Sequence, residues 1–165
     1  MSKFGTSQPI TRLEDNRFLT GKGRYVDDIA PQTALHGYVF RSTQAHGDIT
    51  ELDVSAARAA PGVHLVLTAE DLAAAGLKNA MRFALVKTGN ATKPAAPPRP
   101  ILAQDRVRFV GDAVAFIVAE SIAAAKDAAE LITLDIADRP VKMDLMPGGA
   151  PIHDEAPDNI VYDFT

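Results

Sequence analysis

Apolar and β-favouring residues recur in short runs, and residues typical of turns separate these runs. This pattern is typical of strands. The runs lie at 35–42, 49–55, 62–68, 106–110, 113–119 and 131–136. In the third run, Val63, Leu65 and Leu67 fall on one face and Val66 on the other. The run AVAFIVA (113–119) is apolar throughout, as in strands that are buried on both faces, so we expect it to be the most buried strand.

Alanine-rich segments between these runs predict short helices. The residues expected to cap their first turns are Asp53 or Ser55, Thr68 with Asp71 three residues later, and Ser121. Pro61-Gly62 should end the first helix and Gly76 the second.

Residues 106–136 make the best-defined unit of the chain. Gly111-Asp112 between its first two runs is a hairpin signal. A helix with Ile122, Ala125, Ala129 and Ile132 on its apolar face follows, and a strand returns at 131–136. This order predicts a compact βαβ unit, whose crossover should be right-handed.

Three segments predict irregular structure. Residues 1–23 form a polar lead-in, residues 87–100 (KTGNATKPAAPPRP) a proline-rich loop, and residues 145–165 a turn-rich, acidic exit segment. The whole pattern predicts an α+β fold, with mixed sheets and a few helices packed on them, in one domain over residues 1–165.

Composition narrows the function. The chain has 165 residues, a net charge of −4 and a pI of about 5.5, so a nucleic-acid partner is not expected. It has no cysteine, which excludes disulfides and thiolate ligands to metals or iron–sulfur clusters. No signal peptide is recognisable, and no apolar run approaches the ~20 residues that span a bilayer. We therefore expect a cytoplasmic protein without a membrane partner.

The stretch RLEDNRFLTGKGRYVDD (12–28) concentrates the candidate chemistry. Gly21 and Gly23 begin a G-x-G, but Val26 stands where a dinucleotide-binding loop has its third glycine. We expect these glycines to shape turns instead.

The titratable residues leave alternatives open. The carboxylates Glu14, Asp15, Asp27 and Asp28 are either an acid–base pair or, as turn residues more often are, solvated. The basic residues Lys3, Arg12, Arg17, Lys22 and Arg24 either grip an anion or form a solvated face.

The histidines have no metal-ligand spacing. His36 and His64 are expected to be at least half-buried because they lie in strand runs, and His46 to be the most exposed. Ser42 lies near His46 in the sequence, but no nucleophile-elbow pattern surrounds it.

Five blocks of the sequence resemble, in order, the start of the molybdenum hydroxylases. The blocks are RLEDNRFLTGKGRYVDDI, LHGYVFRSTQAH, GVHLVLTAEDL, ILAQDRVRFVGDAVAFIVAESIAAAKDAAELI and IHDEAPDNIVYDF. The resemblance is to the N-terminal α/β-hammerhead domain of the molybdopterin-binding large subunit of the xanthine dehydrogenase, aldehyde oxidase and carbon monoxide dehydrogenase family.

This resemblance implies a part of an oxidoreductase that holds no catalytic, cofactor or metal residue of its own, since those of the family lie in later domains. The complete assembly is expected to contain molybdopterin cofactor, FAD and 2Fe-2S clusters. Its molybdopterin-binding domains or subunit, and its FAD and iron–sulfur subunits, are the expected partners. The chain is then either an excised domain or a separately encoded subunit.

Two other functions remain open from the residues alone. One is a free-standing small-molecule binding module with the hammerhead fold. The other is an acid–base enzyme that uses Asp27 or Asp28 with His46, which requires these groups to share a cleft.

For the leading interpretation, the candidate partner interface is Arg12, Arg17, Phe18, Arg24 and Tyr25. Arginine and aromatic residues are the types enriched at the centres of interfaces. The alternative is that the aromatic rings pack on their own domain while the arginines are solvated.

Overall fold

Two small sheets form the framework of the chain in the computed structural model, which describes residues 12–81 and 94–162. The strands are β1 (His36–Arg41), β2 (Gly47–Asp53), β3 (Val63–Leu67), β4 (Arg106–Val107), β5 (Ala113–Ala119) and β6 (Thr133–Asp138). The helices are α1 (Asp15–Leu19), α2 (Ser55–Arg58), α3 (Ala69–Ala74) and α4 (Ile122–Ala129). The α+β class is confirmed. The chain divides into two compact units, residues 1–34 and residues 35–165, and both sheets lie in the second.

Both sheets are antiparallel. The first has the strand order β1-β5-β3 and the second the order β4-β2-β6. The expected mixed sheets and βαβ unit are therefore wrong, because β5 and β6 lie in different sheets. The reason is that β6 pairs with β2, placing Ile49 opposite Ile136 and Leu52 opposite Leu134.

The expected hairpin at Gly111-Asp112 is also wrong. The turn itself exists, with Gly111 at φ 93°. However, Ser42, next to β1 of the first sheet, bonds both residues of the turn: its N–H donates to the Asp112 carbonyl, and its carbonyl accepts from the Gly111 N–H. Beyond the two residues of β4 the chain leaves its strand, so the turn carries it from the second sheet to the first.

The first core lies between the first sheet and its helices. Ala125 and Ala128 of α4 are completely buried and belong to one apolar cluster with Ala115 and Ile117 of β5. Four of the seven residues of β5 are buried, more than in any other strand that the structure describes, so its expected burial is confirmed.

A second cluster joins the two sheets. Val114 of β5 and Val107 of β4 are both fully buried there. The half-buried apolar residues around them come from both sheets: Phe40, Ile49, Leu52, Leu134 and Ile136. The apolar character of both faces of β5 thus reflects helices on one side and, around Val114, the second sheet on the other.

The expected caps are found at two helices. Thr68 and Asp71 form a reciprocal capping box at α3, and the Ser121 hydroxyl accepts from the Ala124 N–H at α4, at 3.1 Å. At the start of α2, an Asp53 carboxylate oxygen accepts from the Ser55 N–H. Ile122 is the exception to the expected apolar face of α4, since its side chain is 45% exposed.

The lead-in is less irregular than expected, because α1 occupies its second half. Residues 94–100 of the proline-rich loop and 145–162 of the exit segment contain no helix or strand. Residues 1–11, 87–93 and 163–165, on which parts of these expectations fall, lie outside the described residues.

Candidate interaction surface

The first unit presents an aromatic pair. Phe18 is the fourth residue of α1, and Tyr25 directly precedes a 3-10 turn at Val26–Asp28. Their rings are stacked, with centroids 5.7 Å apart and planes inclined by 12°. Tyr25 remains 65% exposed. An exposed stack of this kind offers a rigid apolar surface at a low entropic cost.

Gly23 allows the connecting loop to approach the Phe18 ring. A Cβ atom at this position would lie 2.8 Å from Cδ1 of Phe18, closer than such atoms come in proteins. Gly21 has a φ of 68°, in the region that favours glycine. The two glycines therefore shape the loop, as the sequence indicated.

Arg17 contacts the aromatic pair through the Phe18 ring. Its guanidinium carbon lies 5.5 Å from the centre of the Phe18 ring, a cation–π contact. The same group forms an ion pair with Glu14, three residues earlier on the helix surface. The i, i+3 spacing of Glu14 and Arg17 is the feature of the sequence from which this ion pair could have been predicted.

The five candidate interface residues are only partly brought together. Arg17, Phe18 and Tyr25 form one contiguous group. Arg12 and Arg24 are exposed, and the backbone N–H of Arg12 donates to Asp15. The same stretch of sequence also exposes apolar side chains: Leu13, Leu19, Val26 and Ile29.

Carboxylates of this stretch act on the backbone. A carboxylate oxygen of Asp28 accepts from the Tyr25 N–H at 2.8 Å and closes the 3-10 turn. A carboxylate oxygen of Asp15 accepts from the Arg12 N–H at 3.2 Å. With Glu14 paired to Arg17, these contacts favour the reading of the carboxylates as turn residues.

The histidines are placed differently from what the sequence suggested. His46, expected to be the most exposed, is only 3% exposed, and its Nδ1 lies 2.7 Å from the Pro140 carbonyl oxygen. His36 and His64, expected to be at least half-buried, are exposed. Ser42 is buried, and its hydroxyl bonds both the N–H and the carbonyl of Gln44. Its role there is to close a turn.

Metal-ligating side chains are not clustered in the described residues. The chain has no cysteine to hold an iron–sulfur cluster. Across residues 12–81 and 94–162, no three His, Asp or Glu side chains are arranged to hold a metal ion. In the same ranges no helix has the length and apolar character needed to cross a bilayer.

Comparison with known families decides the identity. Residues 20–140 match the family profile described as "Aldehyde oxidase and xanthine dehydrogenase, a/b hammerhead domain". The chain belongs to this hammerhead family. The match includes both sheets, while the whole of α1 precedes it.

Relatives of this hammerhead domain are parts of much larger proteins. The large subunit of nicotine 6-hydroxylase from Paenarthrobacter nicotinovorans is 40% identical over 92% of this chain, which covers 18% of that subunit. The Cu,Mo-CO dehydrogenase structure matches 82% of the chain at 39% identity, with a TM-score of 0.65. Quinoline 2-oxidoreductase from Pseudomonas putida 86 matches 85% at 37% identity, with a TM-score of 0.68. The chain covers 16% of each of these two structures.

Proposed function

We propose that this chain is a non-catalytic structural and interaction domain, or a split subunit, of a molybdenum hydroxylase whose complete assembly is an oxidoreductase. The observation that carries the proposal is the hammerhead match over residues 20–140. The large-subunit relatives support it, since the chain covers under a fifth of their length. We propose that the whole chain is one hammerhead domain with a lead-in, and that it acts in the cytoplasm.

Molybdopterin, FAD and iron–sulfur clusters would be held elsewhere in that assembly. One relative of known structure is a Cu,Mo-CO dehydrogenase, and another is subunit gamma of the 6-hydroxypseudooxynicotine dehydrogenase complex. The partners of this chain would then be the molybdopterin-binding domains or subunit and, through them, the FAD and iron–sulfur subunits.

The aromatic pair and Arg17 are the proposed contact with that partner. The Phe18 and Tyr25 rings are stacked while Tyr25 stays exposed, so their apolar area is available to a second surface. Arg17 can exchange Glu14 for a partner carboxylate, because both members of this ion pair are more than half exposed. Arg12 and Arg24 extend the same charged stretch.

The experiment is co-expression of the tagged chain with its native molybdopterin-binding partner, followed by calorimetric titration of the purified components. Arg17→Glu should weaken association by about 2–5 kcal/mol if it meets a carboxylate at a desolvated contact. The variant should stay folded, because the Arg17 side chain is 53% exposed and a surface ion pair such as the one with Glu14 is worth only about 0.2–1 kcal/mol.

Two further variants test the surface. Tyr25→Ala should weaken association as well, because it removes half of the aromatic stack. Lys78→Glu reverses an exposed charge in the other unit and serves as the matched control. If Arg12→Glu and Arg17→Glu both leave affinity unchanged, the stretch is a solvated lead-in and not an interface.

A further inference from the structure

Residues 152–154 attach the exit segment to β4 and the residues that follow it. The Ile152 carbonyl accepts from Nε of Arg108 at 3.3 Å. The Asp154 carboxylate forms an ion pair with Nη1 of Arg106, the first residue of β4, at 3.5 Å. His153 lies between these two contacts in the sequence. Residues 152–154 are therefore the anchor of the exit segment.

The histidine of the anchor has a buried ring nitrogen. His153 is half-buried, and its Nδ1 has no solvent-accessible surface and no hydrogen-bond partner among the described residues. A protonated ring carries an N–H on both nitrogens, so Nδ1 would then hold its N–H away from solvent and from any protein acceptor. Burial of a charged group costs free energy, and the anchor therefore favours the neutral imidazole.

A guanidinium next to the anchor opposes protonation as well. Arg108 donates to the Ile152 carbonyl and, from Nη1, to the Arg106 carbonyl at 3.4 Å, so two contacts hold its charge beside His153. Burial and then the charge of Arg108 lower the pKa of His153 from 6.5, while Glu155 and Asp154 oppose this shift and His46 adds to it.

The other carboxylates near His153 are already engaged. Both clefts that His153 lines are bordered by Arg108, and they also contain Asp112, Lys142 and Asp144. A carboxylate oxygen of Asp112 accepts from the Arg108 N–H at 3.0 Å, and Asp144 pairs with Lys142 at 2.6 Å. A proton on His153 would therefore meet the charge of Arg108 without a dedicated carboxylate partner.

We propose that the anchor is an acid-sensitive latch: the exit segment stays attached while His153 is neutral, and protonation of His153 releases it from sheets that remain folded. Hydrogen bonds such as that from the Gly148 N–H to the Asp158 carbonyl are internal to the segment and do not hold it to the sheets. The anchor, in contrast, joins it to Arg106 and Arg108.

The lowered pKa of His153 gives the direction of the pH dependence. Above pH 6.5 the ring is neutral in both the attached and the released segment. As the pH falls below 6.5, the released segment takes up a proton first, so release becomes more favourable until the pH reaches the lower pKa of the attached state. Asp48, which pairs with Arg106 on β4, has a pKa lowered from 3.8, so the second sheet keeps this ion pair when release begins.

The test is amide hydrogen exchange of the whole chain, followed by nuclear magnetic resonance between pH about 8 and about 5 and corrected for the intrinsic exchange rate. The reporters in the exit segment are the N–H groups of Gly148, Ile152 and Ala156, each hydrogen-bonded within the segment. The N–H of Ala103, which donates to the Ala113 carbonyl at 2.7 Å, reports on the sheets.

Protection of the three reporters in the exit segment should fall on acidification. The expected loss is about tenfold for each pH unit by which the pKa of His153, titrated in the same samples, lies below 6.5. Protection of Ala103 should not change, because the sheets stay folded.

Substitutions assign the effect to the anchor. His153→Gln should remove the pH dependence, because an amide does not titrate in this range. His64→Gln, which replaces an exposed histidine, is the matched control and should keep it. Arg108→Gln should raise the pKa of His153 towards 6.5 and thereby reduce the pH dependence.

Three results would overturn the latch. The first is unchanged protection of Gly148, Ile152 and Ala156 in the native chain, and the second is an equal loss at Ala103, which would mean that the sheets open as well. The third is a pH dependence that survives in His153→Gln, which would assign it to another group such as His46. The first two results come from the native chain and do not depend on the folding of a variant.

Discussion

Asn159 organises the exit segment through one side chain. Its Oδ1 accepts from the Ile152 N–H at 3.0 Å, and its Nδ2 donates to the carbonyls of Gly148 and Ala150 at 3.1 and 3.0 Å. Its φ of 60° lies in the left-handed region, where asparagine is tolerated better than most residues. Only an amide side chain combines these donors and this acceptor in one short group.

Replacing Asn159 should therefore loosen the segment. Asn159→Ala loses three hydrogen bonds and keeps a strained backbone, so we expect a loss of about 3 kcal/mol in the free energy of unfolding, measured in urea. Asn159→Gly also loses the bonds but relieves the strain, so it should cost about 1 kcal/mol less. A cost below about 1 kcal/mol for the alanine variant would show that Asn159 does not hold the segment.

The sequence predicted the turn-rich character of this segment but not the role of Asn159 or His46. Turn signals are local, and they identify residues that tolerate tight backbone conformations. The three groups bonded to Asn159 lie at 148, 150 and 152, and the carbonyl facing His46 is 94 residues away. A contact over that distance leaves no trace in local patterning, which is why a buried His46 was expected to be exposed.

Within the first sheet, an aromatic ring covers a glycine. A Cβ atom on Gly37 of β1 would lie 2.7 Å from Cζ of Phe116 on β5, so the ring rests directly over the glycine backbone. Phe116 is only half-buried, unlike Ile117 beside it. Aromatic residues compensate in this way for the missing side chain of a glycine in a sheet.

A double-mutant cycle should detect this contact. Gly37→Ala should cost about 1 kcal/mol because the ring must move, although alanine is otherwise favoured over glycine within a strand. With Phe116→Leu already present, the same change should be neutral or stabilising. Phe116→Ala alone should cost about 2 kcal/mol, below the ~3–5 kcal/mol for a fully buried ring. Additive effects in urea denaturation would contradict the contact.

One carboxylate, shared by two arginines, links the strands of the second sheet. Asp48 of β2 accepts from Nε of Arg106 on β4 at 2.8 Å and from Nε of Arg139, just after β6, at 2.5 Å. The hydrogen bond from Arg106, followed by that from Arg139, lowers the pKa of Asp48 from 3.8. Its stabilisation is therefore present above that pH and is lost as the pH falls through the lower folded-state pKa.

Asp48→Asn should accordingly be destabilising at neutral pH. The difference in the free energy of unfolding between this variant and the native chain should become smaller below pH 3.8. Urea denaturation at a series of pH values measures this. Asp138→Asn, which removes an exposed carboxylate at the end of β6, is the matched control. If the difference in the free energy of unfolding between Asp48→Asn and the native chain did not change with pH, the ion pairs would not be its cause.

Strand positions were predictable, but their partners were not. Apolar periodicity located all six strands that the structure describes to within a few residues, and the capping residues Thr68 and Ser121 were recognisable from their spacing. Periodicity shows which side of a strand is buried but carries no information on which strand lies beside it. The hairpin and the βαβ unit were inferred from adjacency in the sequence, and the structure pairs other strands instead.

At the scale of the whole molecule, the chain should carry no redox cofactor of its own. Purified alone, it should contain no stoichiometric molybdenum or iron by elemental analysis and no flavin absorbance, since it lacks cysteine and metal-spaced histidines. It should also show no hydroxylase turnover. The matched sample is the co-purified assembly, in which these cofactors are expected. A bound chromophore in the isolated chain would contradict this division of roles.

The order of strand pairing has a consequence for synthesis on the ribosome. In the described part of the chain, the pairings are β1 with β5, β3 with β5, β2 with β4 and β2 with β6, and none joins strands that are consecutive in sequence. While the chain emerges, the backbone groups of β1, β2 and β3 lack their strand partners until Arg106 and the residues after it have been translated. Long-range pairing of this kind folds slowly and leaves nascent strands open to aggregation. The nascent chain should therefore depend on chaperones most strongly just before β5 appears.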